Sequence, residues 1–478
     1  MAFLTEAANR GSISTEYDID NSYKNENDNT ERMYRAWGGI TANTRTWTVS
    51  LWIKRTELGA CYTWGAGTSG NDVLVVDFDS SDRLGFRSTK DAANDCVYRT
   101  NRVFRDTSAW YHLVFAVDTT SGTAGNRLRI YVNGVEETSF ATETNFDQND
   151  LTLHNANGSY MEVGAVIGES PRFHGYIAEV NSITGTQYAP TAFGRFDENG
   201  IWVPILFAGS YAENSVFLEF KDSSSLGTDT SGNSQTFTLQ NLSAADQATD
   251  TPTNNFCTLN NNSRTNANIR TQEGGSKVTT DGGSGWCSMN ATMGAKSGKW
   301  YWEAEHMSSD SDNVFWGVAA VDDPYIPHRA GGYYLGNVAA WTSMGLYSYN
   351  GQVYNGTWQN GTGHLANSSN DVIMFALDAD NGYFYFGKNG TWGNSSDPTT
   401  TGGTAAATLS TTQTNPWTDF IVPSVSVFQG MKTTFNFGGY TAHTPSSAAS
   451  DANGYGTFEH APPTGYYALC SKNLAEYG

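Results

Sequence analysis

The stretch Trp47-Thr48-Val49-Ser50-Leu51-Trp52-Ile53 decides the fold class of the first half of this chain. Large apolar side chains alternate with Thr and Ser along it, as in a β-strand whose successive residues face opposite sides of a sheet. The runs Trp110–Asp118 and Leu128–Gly134 have a similar character. The second of these ends at Asn133-Gly134, the residue pair that most strongly signals a hairpin turn. The first half is therefore expected to form antiparallel strands joined by tight turns.

The second half carries a comparable set of strand-like runs. Lys299–Glu305, Asp371–Asp378 and Tyr383–Gly390 are each apolar or alternating and stop at Asp or at Asn-Gly. Neither half contains a 3.6-residue apolar period long enough for a long helix. The sequence thus predicts an all-β protein made of two antiparallel β-sandwiches in series, with a structured connector between them.

The composition agrees with an all-β protein. Only 16% of the residues are charged, against about 25% in an average soluble protein, while aromatic residues reach 13% and glycines number 50. Aromatic residues pack well on pleated strands and glycines permit tight turns. Disordered chains have few aromatic residues and a high charge content, so disorder is excluded as the general state of this chain.

The charge distribution excludes one class of partner. The formal net charge is -21, and the basic residues after Lys299 are only Arg329, Lys388, Lys432 and Lys472. Proteins that bind nucleic acid through its phosphates need a clustered basic surface, so no nucleic-acid partner is expected. The N-terminus has neither the basic nor the apolar segment of a signal peptide, and no run approaches the ~20 apolar residues of a membrane span. Synthesis in a cytoplasm, without membrane insertion, is the expectation.

Shifts in pattern along the chain suggest five segments. Residues 1–20 are predicted to form an N-terminal arm and residues 21–191 the first sandwich. Residues 192–276 form the connector, in which apolar residues recur, and residues 277–440 form the second sandwich. Residues 441–478 are a C-terminal tail.

Each predicted sandwich resembles a known family. Trp47–Ile53, Trp110-Tyr111-His112 and Leu128–Gly134 resemble the laminin-G-like members of the concanavalin-A-like jelly rolls. Gly298–Glu303, Phe315-Trp316-Gly317-Val318 and Asp371–Gly390 resemble a SPRY domain, which is a bent β-sandwich. The resemblances imply two binding modules in one chain.

Three further segments give the whole chain a resemblance to virion structural proteins of tailed phages of the marine type. They are Tyr176–Val180, Asp250–Phe256 and Pro462–Glu476. The resemblance implies a virion location, other virion proteins as partners, and a homo-oligomer, which would be a trimer in a fibre. The predicted function is a fibre or tail appendage component that mediates adhesion to a host surface glycan or protein. The alternative is a capsid decoration, head-fibre or connector protein with a purely structural role.

Candidate ligand-binding residues are the aromatic side chains of one glycine-rich region in the second sandwich. Aromatic faces stack on the apolar faces of sugars, and tyrosine-rich loops also adapt to protein partners. These rings would otherwise fill the core of the sandwich. The candidates are Tyr333, Tyr334, Trp341, Tyr347 and Tyr349.

A calcium ion is the one cofactor that the sequence suggests. Laminin-G-like domains often bind calcium at a sandwich rim, and Asp77, Asp79 and Asp82 follow the strand-like run Val73–Val76. Acidic turns without a metal are the commoner case, so no cofactor is the expectation and a calcium ion at these three residues is the alternative. His112, His154 and His174 lack the close spacing typical of metal ligands and are expected to be structural.

The sequence offers little support for catalysis. Jelly-roll glucanases place a nucleophile and an acid on one strand as Glu-x-Asp-x-Glu, and the nearest match here, Glu16-Tyr17-Asp18-Ile19-Asp20, ends in Asp and precedes the first sandwich. The five cysteines show no metal-binding or catalytic spacing and are expected to be buried thiols. The protein is predicted not to be an enzyme, with a glycan-active enzyme as a remote alternative.

Overall fold

The computed structural model describes residues 17–26, 30–38, 44–265, 268–281, 285–307, 313–323, 333–337, 342–356, 358–359, 368–400, 407–408, 420–428, 430–440, 442 and 444–478. The chain forms two compact units whose boundary lies between Thr253 and Asn254. We call them the N-terminal unit and the C-terminal unit. The boundary falls inside the segment 192–276, so the described residues of that segment are shared between the two units rather than standing apart from them.

The N-terminal unit is built from short and medium strands. In chain order they are β1 (Ser22–Asn25), β2 (Arg32–Ala36), β3 (Thr46–Arg55), β4 (Cys61–Ser69), β5 (Asp72–Phe78), β6 (Arg83–Lys90), β7 (Ala93–Val103), β8 (Trp110–Asp118), β9 (Leu128–Val132), β10 (Val135–Glu136), β11 (Phe140–Thr144), β12 (Tyr160–Val163), β13 (Gly175–Thr184), β14 (Gly194–Phe196), β15 (Trp202–Pro204), β16 (Val216–Leu218), β17 (Thr238–Gln240) and β18 (Gln247–Ala248). Short 3₁₀ turns occur at Ala124–Asn126, Pro190–Ala192 and Ala244–Asp246.

These strands form two eight-stranded sheets and a small two-stranded one. The first sheet has the order β10-β9-β8-β3-β13-β1-β18, with β16 also paired to β13. The second has the order β11-β7-β6-β5-β4-β12-β2-β17, and β14 pairs with β15. The two large sheets pack face to face, since Trp47 of β3 lies 6.3 Å from Trp64 of β4 between ring centroids.

Strand β3 shows how the sequence pattern places this core. Trp47, Val49, Leu51 and Ile53 belong to the apolar cluster between the sheets. The intervening side chains face the other side of the sheet, yet nearly all of the strand is buried. The strand is therefore covered on both faces, which its alternating pattern alone does not predict.

The C-terminal unit contains the remaining strands. They are β19 (Leu259–Arg264), β20 (Ile269–Gln272), β21 (Lys277–Thr280), β22 (Trp286–Ala291), β23 (Lys299–His306), β24 (Val314–Ala320), β25 (Ser343–Tyr347), β26 (Val353–Tyr354), β27 (Trp358–Gln359), β28 (Val372–Asp378), β29 (Tyr383–Lys388), β30 (Thr391–Trp392), β31 (Ala407–Thr408), β32 (Ile421–Phe428), β33 (Lys432–Asn436) and β34 (Tyr467–Ala468). Glu273–Gly275 and Gly393–Ser395 are 3₁₀ turns, and Ser471–Tyr477 is the α-helix α1.

This unit is also a two-sheet sandwich. A seven-stranded sheet has the order β19-β22-β32-β24-β25-β26-β27, and a nine-stranded sheet has the order β20-β21-β33-β23-β28-β29-β30, with β31 on β29 and β34 on β23. The core between them contains Trp302 and Phe375 of the larger sheet and Trp316 of the smaller one. Trp316 donates its indole N–H to Thr433 Oγ1 of the opposite sheet at 2.8 Å.

The predicted all-β fold with two sandwiches is confirmed. Strand pairing is antiparallel apart from the short parallel pair of β34 with β23 and one isolated bridge, among the pairs that the described residues form. The expected buried thiols are also found, since all five cysteines are buried and free. No described helix has the length and apolar character that crossing a membrane would require.

Candidate functional site

A pocket lies on the outward face of the seven-stranded sheet of the C-terminal unit. It has a volume of about 330 Å³. The described side chains that line it are Trp286, Asn313, Phe315, Tyr334, Tyr347 and Phe428. Five of the six are aromatic, so apolar ring faces make up most of its described lining.

The period-two geometry of the strands brings four of these rings together. On β24, Phe315 faces outward while its neighbours Val314 and Trp316 belong to the core between the sheets. The strand register then pairs Phe315 with Tyr347 of β25. In the same way it pairs Trp286 of β22 with Phe428 of β32. Cross-strand pairing of outward residues therefore builds the pocket floor.

The rings form an ordered stack. Phe315 lies between Tyr334 and Tyr347, with ring centroids 4.6 Å away on each side and interplanar angles of 12° and 11°. The Trp286 ring is tilted against this stack, at 5.1 Å from Phe315 and 5.0 Å from Tyr334. Such offset and edge contacts suit the charge distribution of aromatic rings and hold the pocket in one shape.

The segment 333–337 places Tyr334 over the sheet through three hydrogen bonds. Ser288 Oγ donates to the carbonyl of Tyr333 at 3.2 Å, and the Leu335 N–H donates to Ser426 Oγ at 3.0 Å. The Gly336 N–H donates to Ser343 Oγ at 3.1 Å. Gly336 has φ +79°, and a Cβ there would lie 2.1 Å from the Tyr354 carbonyl oxygen, so this position requires glycine.

The pocket combines a few hydrogen-bonding groups with apolar rings. Tyr347 Oη donates to Asn313 Oδ1 at 2.5 Å, which leaves the Asn313 amide nitrogen as a donor at the pocket. Burial, followed by the nearby hydroxyls of Tyr354 and Tyr347, raises the pKa of Tyr334. None of the described lining side chains is therefore charged at neutral pH. Such a surface is suited to stacking and hydrogen bonding.

The residues predicted from sequence fall in different places around this pocket. Tyr334 and Tyr347 line it, while Tyr333 contributes the carbonyl that Ser288 binds. Tyr349 is 62% exposed, with its ring 6.1 Å from that of Tyr347, so it stands at the rim. Trp341 lies outside the described residues.

Sequence reasoning missed Trp286, Asn313, Phe315 and Phe428 as site residues. Trp286 and Phe428 lie at strand ends that are far apart in the chain, and only their pairing across β22 and β32 brings them together. A usable signal was nevertheless present in Phe315-Trp316, where two adjacent aromatic residues on one strand must face opposite sides of the sheet.

The carboxylates of the three aspartates proposed for calcium each contact an arginine side chain. Arg99 Nη2 lies 2.8 Å from Asp77 Oδ2, and Arg83 contacts Asp79 at 2.8 Å. Asp82 accepts hydrogen bonds from Arg55 at 3.2 Å and Arg105 at 3.0 Å. No cluster of three or more His, Cys, Asp or Glu side chains suited to a metal occurs in the part of the chain that the structure describes. The calcium site stays a prediction, and it would require these ion pairs to open.

The three histidines of the N-terminal unit occupy separate environments. His112 is buried. Its Nε2 forms a hydrogen bond with Ser50 Oγ at 2.8 Å, and its Nδ1 accepts a hydrogen bond from the Trp202 indole N–H at 3.0 Å. His154 stacks on Trp47 at 4.5 Å. Burial lowers the pKa of His112 and of His154 to about 3, helped at His154 by a nearby arginine. His174 instead pairs with Glu26 at 2.6 Å.

Comparison with known families supports the laminin-G-like part of the sequence prediction. Residues 30–185 match the Laminin_G_3 model, described as the concanavalin A-like lectin/glucanases superfamily. The segment contains β2 to β13, which are most of the strands of the two large sheets of the N-terminal unit. A comparison with curated proteins gives no match.

Solved structures similar to parts of the chain include SPRY domains and a pentraxin. The SPRY domain of human HERC1 is 17% identical, with 37% of this chain and 96% of that chain covered and a TM-score of 0.27. The SAP-like pentraxin from Limulus polyphemus is 16% identical, with 37% and 81% covered and a TM-score of 0.27. A second human SPRY domain is 16% identical, with 35% and 94% covered and a TM-score of 0.25.

Proposed function

We propose that this protein is a non-enzymatic component of a phage particle, a fibre or tail appendage protein that attaches to glycans on a host surface. Attachment occurs through the aromatic pocket of the C-terminal unit. The resemblance of Tyr176–Val180, Asp250–Phe256 and Pro462–Glu476 to phage structural proteins supports the location. The laminin-G-like match of residues 30–185 supports a binding protein.

The observation that carries the binding proposal is the composition of the pocket. Its volume of about 330 Å³ accommodates a small ligand group such as a sugar ring. The Trp286 and Tyr334 rings offer apolar faces for the C–H surface of a sugar, and Asn313 offers an amide for its hydroxyls. A single contact of this kind is weak, but several copies on one particle raise avidity by about 10²–10⁴. The protein is accordingly proposed to act as a homo-oligomer, a trimer in a fibre, bound to other virion proteins.

The test is binding of the purified full-length protein to an array of immobilised neutral and acidic glycans. We expect wild type to bind a subset and Trp286→Ala to lose about 5- to 150-fold in affinity, because removing one stacking ring costs about 1–3 kcal/mol. Trp392→Ala is the matched control, since Trp392 is partly buried on the nine-stranded sheet of the same unit and packs against a separate cluster. Absence of glycan binding by wild type, or an equal loss in both variants, would contradict the proposal.

A purely structural role is the second candidate, and one feature of the N-terminal unit favours it. Val135 and Phe196 are 58% and 50% exposed, although both are apolar. Phe196 contacts Trp202 at 5.0 Å, and Gly134, next to Val135, lies against the same indole. Exposed apolar groups of this kind can pack on a neighbouring virion protein. Particles that lack the protein, adsorb normally and fall apart would establish this role and exclude adhesion.

A further inference from the structure

Lys24 is buried between two carboxylates in the N-terminal unit. Its Nζ lies 3.0 Å from Glu31 Oε1 and 2.9 Å from Asp246 Oδ1. The three side chains are 1%, 2% and 9% exposed. Lys24 belongs to β1, Glu31 immediately precedes β2, and Asp246 ends the 3₁₀ turn before β18. An amine and a carboxyl group are thus held together with a second carboxylate beside the amine.

The low exposure of all three side chains shields this triad from water. Tyr23, the neighbour of Lys24 on β1, is fully buried in the core between the sheets. Burial, and then the nearby charges of Glu31 and Asp246, raise the pKa of the Tyr23 hydroxyl well above its usual value. Keeping one ammonium and two carboxylates in such an interior is costly. A reaction that removes one positive and one negative charge is therefore favoured here more than in water.

The Asp246 carboxyl group is held in a defined orientation. Its Oδ2 accepts the backbone N–H of Ser243 at 2.7 Å and the Ser243 hydroxyl at 3.2 Å. Its Oδ1 faces Lys24. Donors fixed on one oxygen stabilise the negative charge that this oxygen gains when a nucleophile adds to the carboxyl carbon. The second oxygen is left beside the ammonium group, which also contacts Glu31.

We propose that Lys24 and Asp246 condense spontaneously to an isopeptide bond, with Glu31 carrying the proton. Glu31 takes a proton from the Lys24 ammonium group, and the nitrogen lone pair attacks Cγ of Asp246. The C–N bond forms, the bond from Cγ to Oδ1 breaks, and Oδ1 leaves as water. It takes one proton back from Glu31 and one more from the nitrogen. The ammonium and the carboxylate become one amide and one water, and Glu31 ends as it began.

Fixed geometry makes this reaction accessible without an external reagent. Two groups held in contact react as if each were present at a very high concentration. This effective concentration reaches about 10⁵–10⁸ M for the best-oriented pairs. The product would join β1 to the turn before β18, close to the two ends of the unit. In the proposed role, the protein carries mechanical load between a phage particle and a host surface. The covalent bond would then prevent a force applied at the two ends of the N-terminal unit from unfolding it.

The pair formed by Lys54 and Asp250 in the same unit provides a contrast. Lys54 Nζ lies 2.7 Å from Asp250 Oδ2, and both side chains are buried. The other oxygen of Asp250 accepts the Trp110 indole N–H at 3.0 Å. This second contact is an indole donor, which stabilises the carboxylate and cannot accept a proton from the ammonium group, whereas Glu31 can accept one from Lys24; the Lys54 pair is therefore expected to stay ionic.

The test is mass spectrometry of the purified, denatured full-length protein. We expect an intact mass lower than that of the sequence by one water, and a protease digest in which a joined pair of peptides contains Lys24 and Asp246. Glu31→Gln should slow the reaction by about 10²–10⁴, the usual contribution of a positioned proton carrier, and so restore the full mass. Lys54→Arg should leave the water loss unchanged.

Several results would overturn the proposal. A wild-type mass equal to that of the sequence would do so without any variant. Loss of water without joined peptides would indicate ring closure at an aspartate instead. A link between Lys54 and Asp250, or a Glu31→Gln protein that loses water as readily as wild type, would exclude the role assigned to the triad.

Discussion

Both units place aromatic rings on the outward face of a sheet, but the rings on the first eight-stranded sheet of the N-terminal unit are covered by the chain itself, whereas those on the seven-stranded sheet of the C-terminal unit are left partly open. In the N-terminal unit, Phe193 and Phe207 stack at 5.1 Å and pack on the outward side chains of the first eight-stranded sheet. In the C-terminal unit, Trp286 and Tyr334 stay partly exposed around a pocket. The same residue types thus make a second core layer in one unit and a candidate binding surface in the other.

The largest loss of stability is expected when Trp202 is replaced. Its ring covers His112 on the outward face of the first eight-stranded sheet. Trp202→Ala should lower the free energy of unfolding by about 3–5 kcal/mol, because it removes a buried ring and the hydrogen bond to His112. Trp286→Ala should cost only roughly 1–2 kcal/mol, since its ring is partly exposed. Urea denaturation of the full-length variants, followed by circular dichroism, measures both. Equal losses of unfolding free energy would mean that Trp286 stabilises its sheet as much as Trp202 does, contrary to their difference in burial.

A smaller loss of stability is expected when Gly134 is replaced, in the hairpin turn that packs against Trp202. Gly134 has φ +78°, and a Cβ there would lie 2.3 Å from the Trp202 ring. Gly185 has φ +85° with open space around it, and is therefore the matched control. Gly134→Ala should destabilise by about 2–4 kcal/mol and Gly185→Ala by only about 1–2 kcal/mol, the backbone cost alone. Thermal or urea unfolding that ranks the two variants the other way would contradict the packing described for Trp202.

The covered face should also respond to acid through His112. Its folded-state pKa of about 3 lies below the ordinary value of 6.5. The unfolded state therefore takes up a proton first as the pH falls, and the contribution of His112 to stability is lost between pH 6.5 and about 3. The maximum slope for one proton is about 1.4 kcal/mol per pH unit.

Urea unfolding across this pH range isolates that contribution when wild type is compared with His112→Gln. The free energy of unfolding of the variant should depend less steeply on pH than that of wild type. The difference in slope should be at most that due to one proton. Buried carboxylates whose pKa is raised, such as Glu162 and Glu179, act with the opposite sign and are present in both proteins. An unchanged slope in His112→Gln would show that His112 is not kept neutral.

The smallest effect is expected at the rim of the open pocket. Tyr349 is 62% exposed, so Tyr349→Ala should change the free energy of unfolding by less than about 0.5 kcal/mol. Its ring lies beside that of Tyr347, and its loss should weaken glycan binding less than Trp286→Ala does. Calorimetry and the glycan array measure the two quantities. If Tyr349→Ala binds glycans more weakly than Trp286→Ala does, the ligand does not bind mainly at the stacked rings.

Local sequence pattern predicted much of the fold because strand geometry is local. The hairpin at Asn133-Gly134 is confirmed, with φ of 48° and 78° at the two positions and Val132 paired with Val135. Trp47–Ile53 lies within β3, and Lys299–Glu305 lies within β23. Residue order over a few positions suffices for such features, since side chains alternate across a strand.

The candidate site was only partly accessible to the same reasoning. Tyr334 and Tyr347 were singled out because they stand in a glycine-rich aromatic region, whereas Trp286 and Phe428 reach the pocket through strand pairing. Asp77, Asp79 and Asp82 are close in sequence, and sequence alone did not indicate that Asp77 and Asp82 pair with arginines from more distant segments. For the pocket, nearness in sequence identified only part of the lining.

The sequence by itself determined the strands, the turns and the all-β class, because these depend on side-chain alternation and on the backbone preferences of a few neighbouring residues. Only the tertiary structure decided which aromatic faces are covered and which stay open. It alone also brought Lys24 to Asp246, residues from opposite ends of one unit. Such contacts depend on the packing of distant segments, which no local pattern encodes.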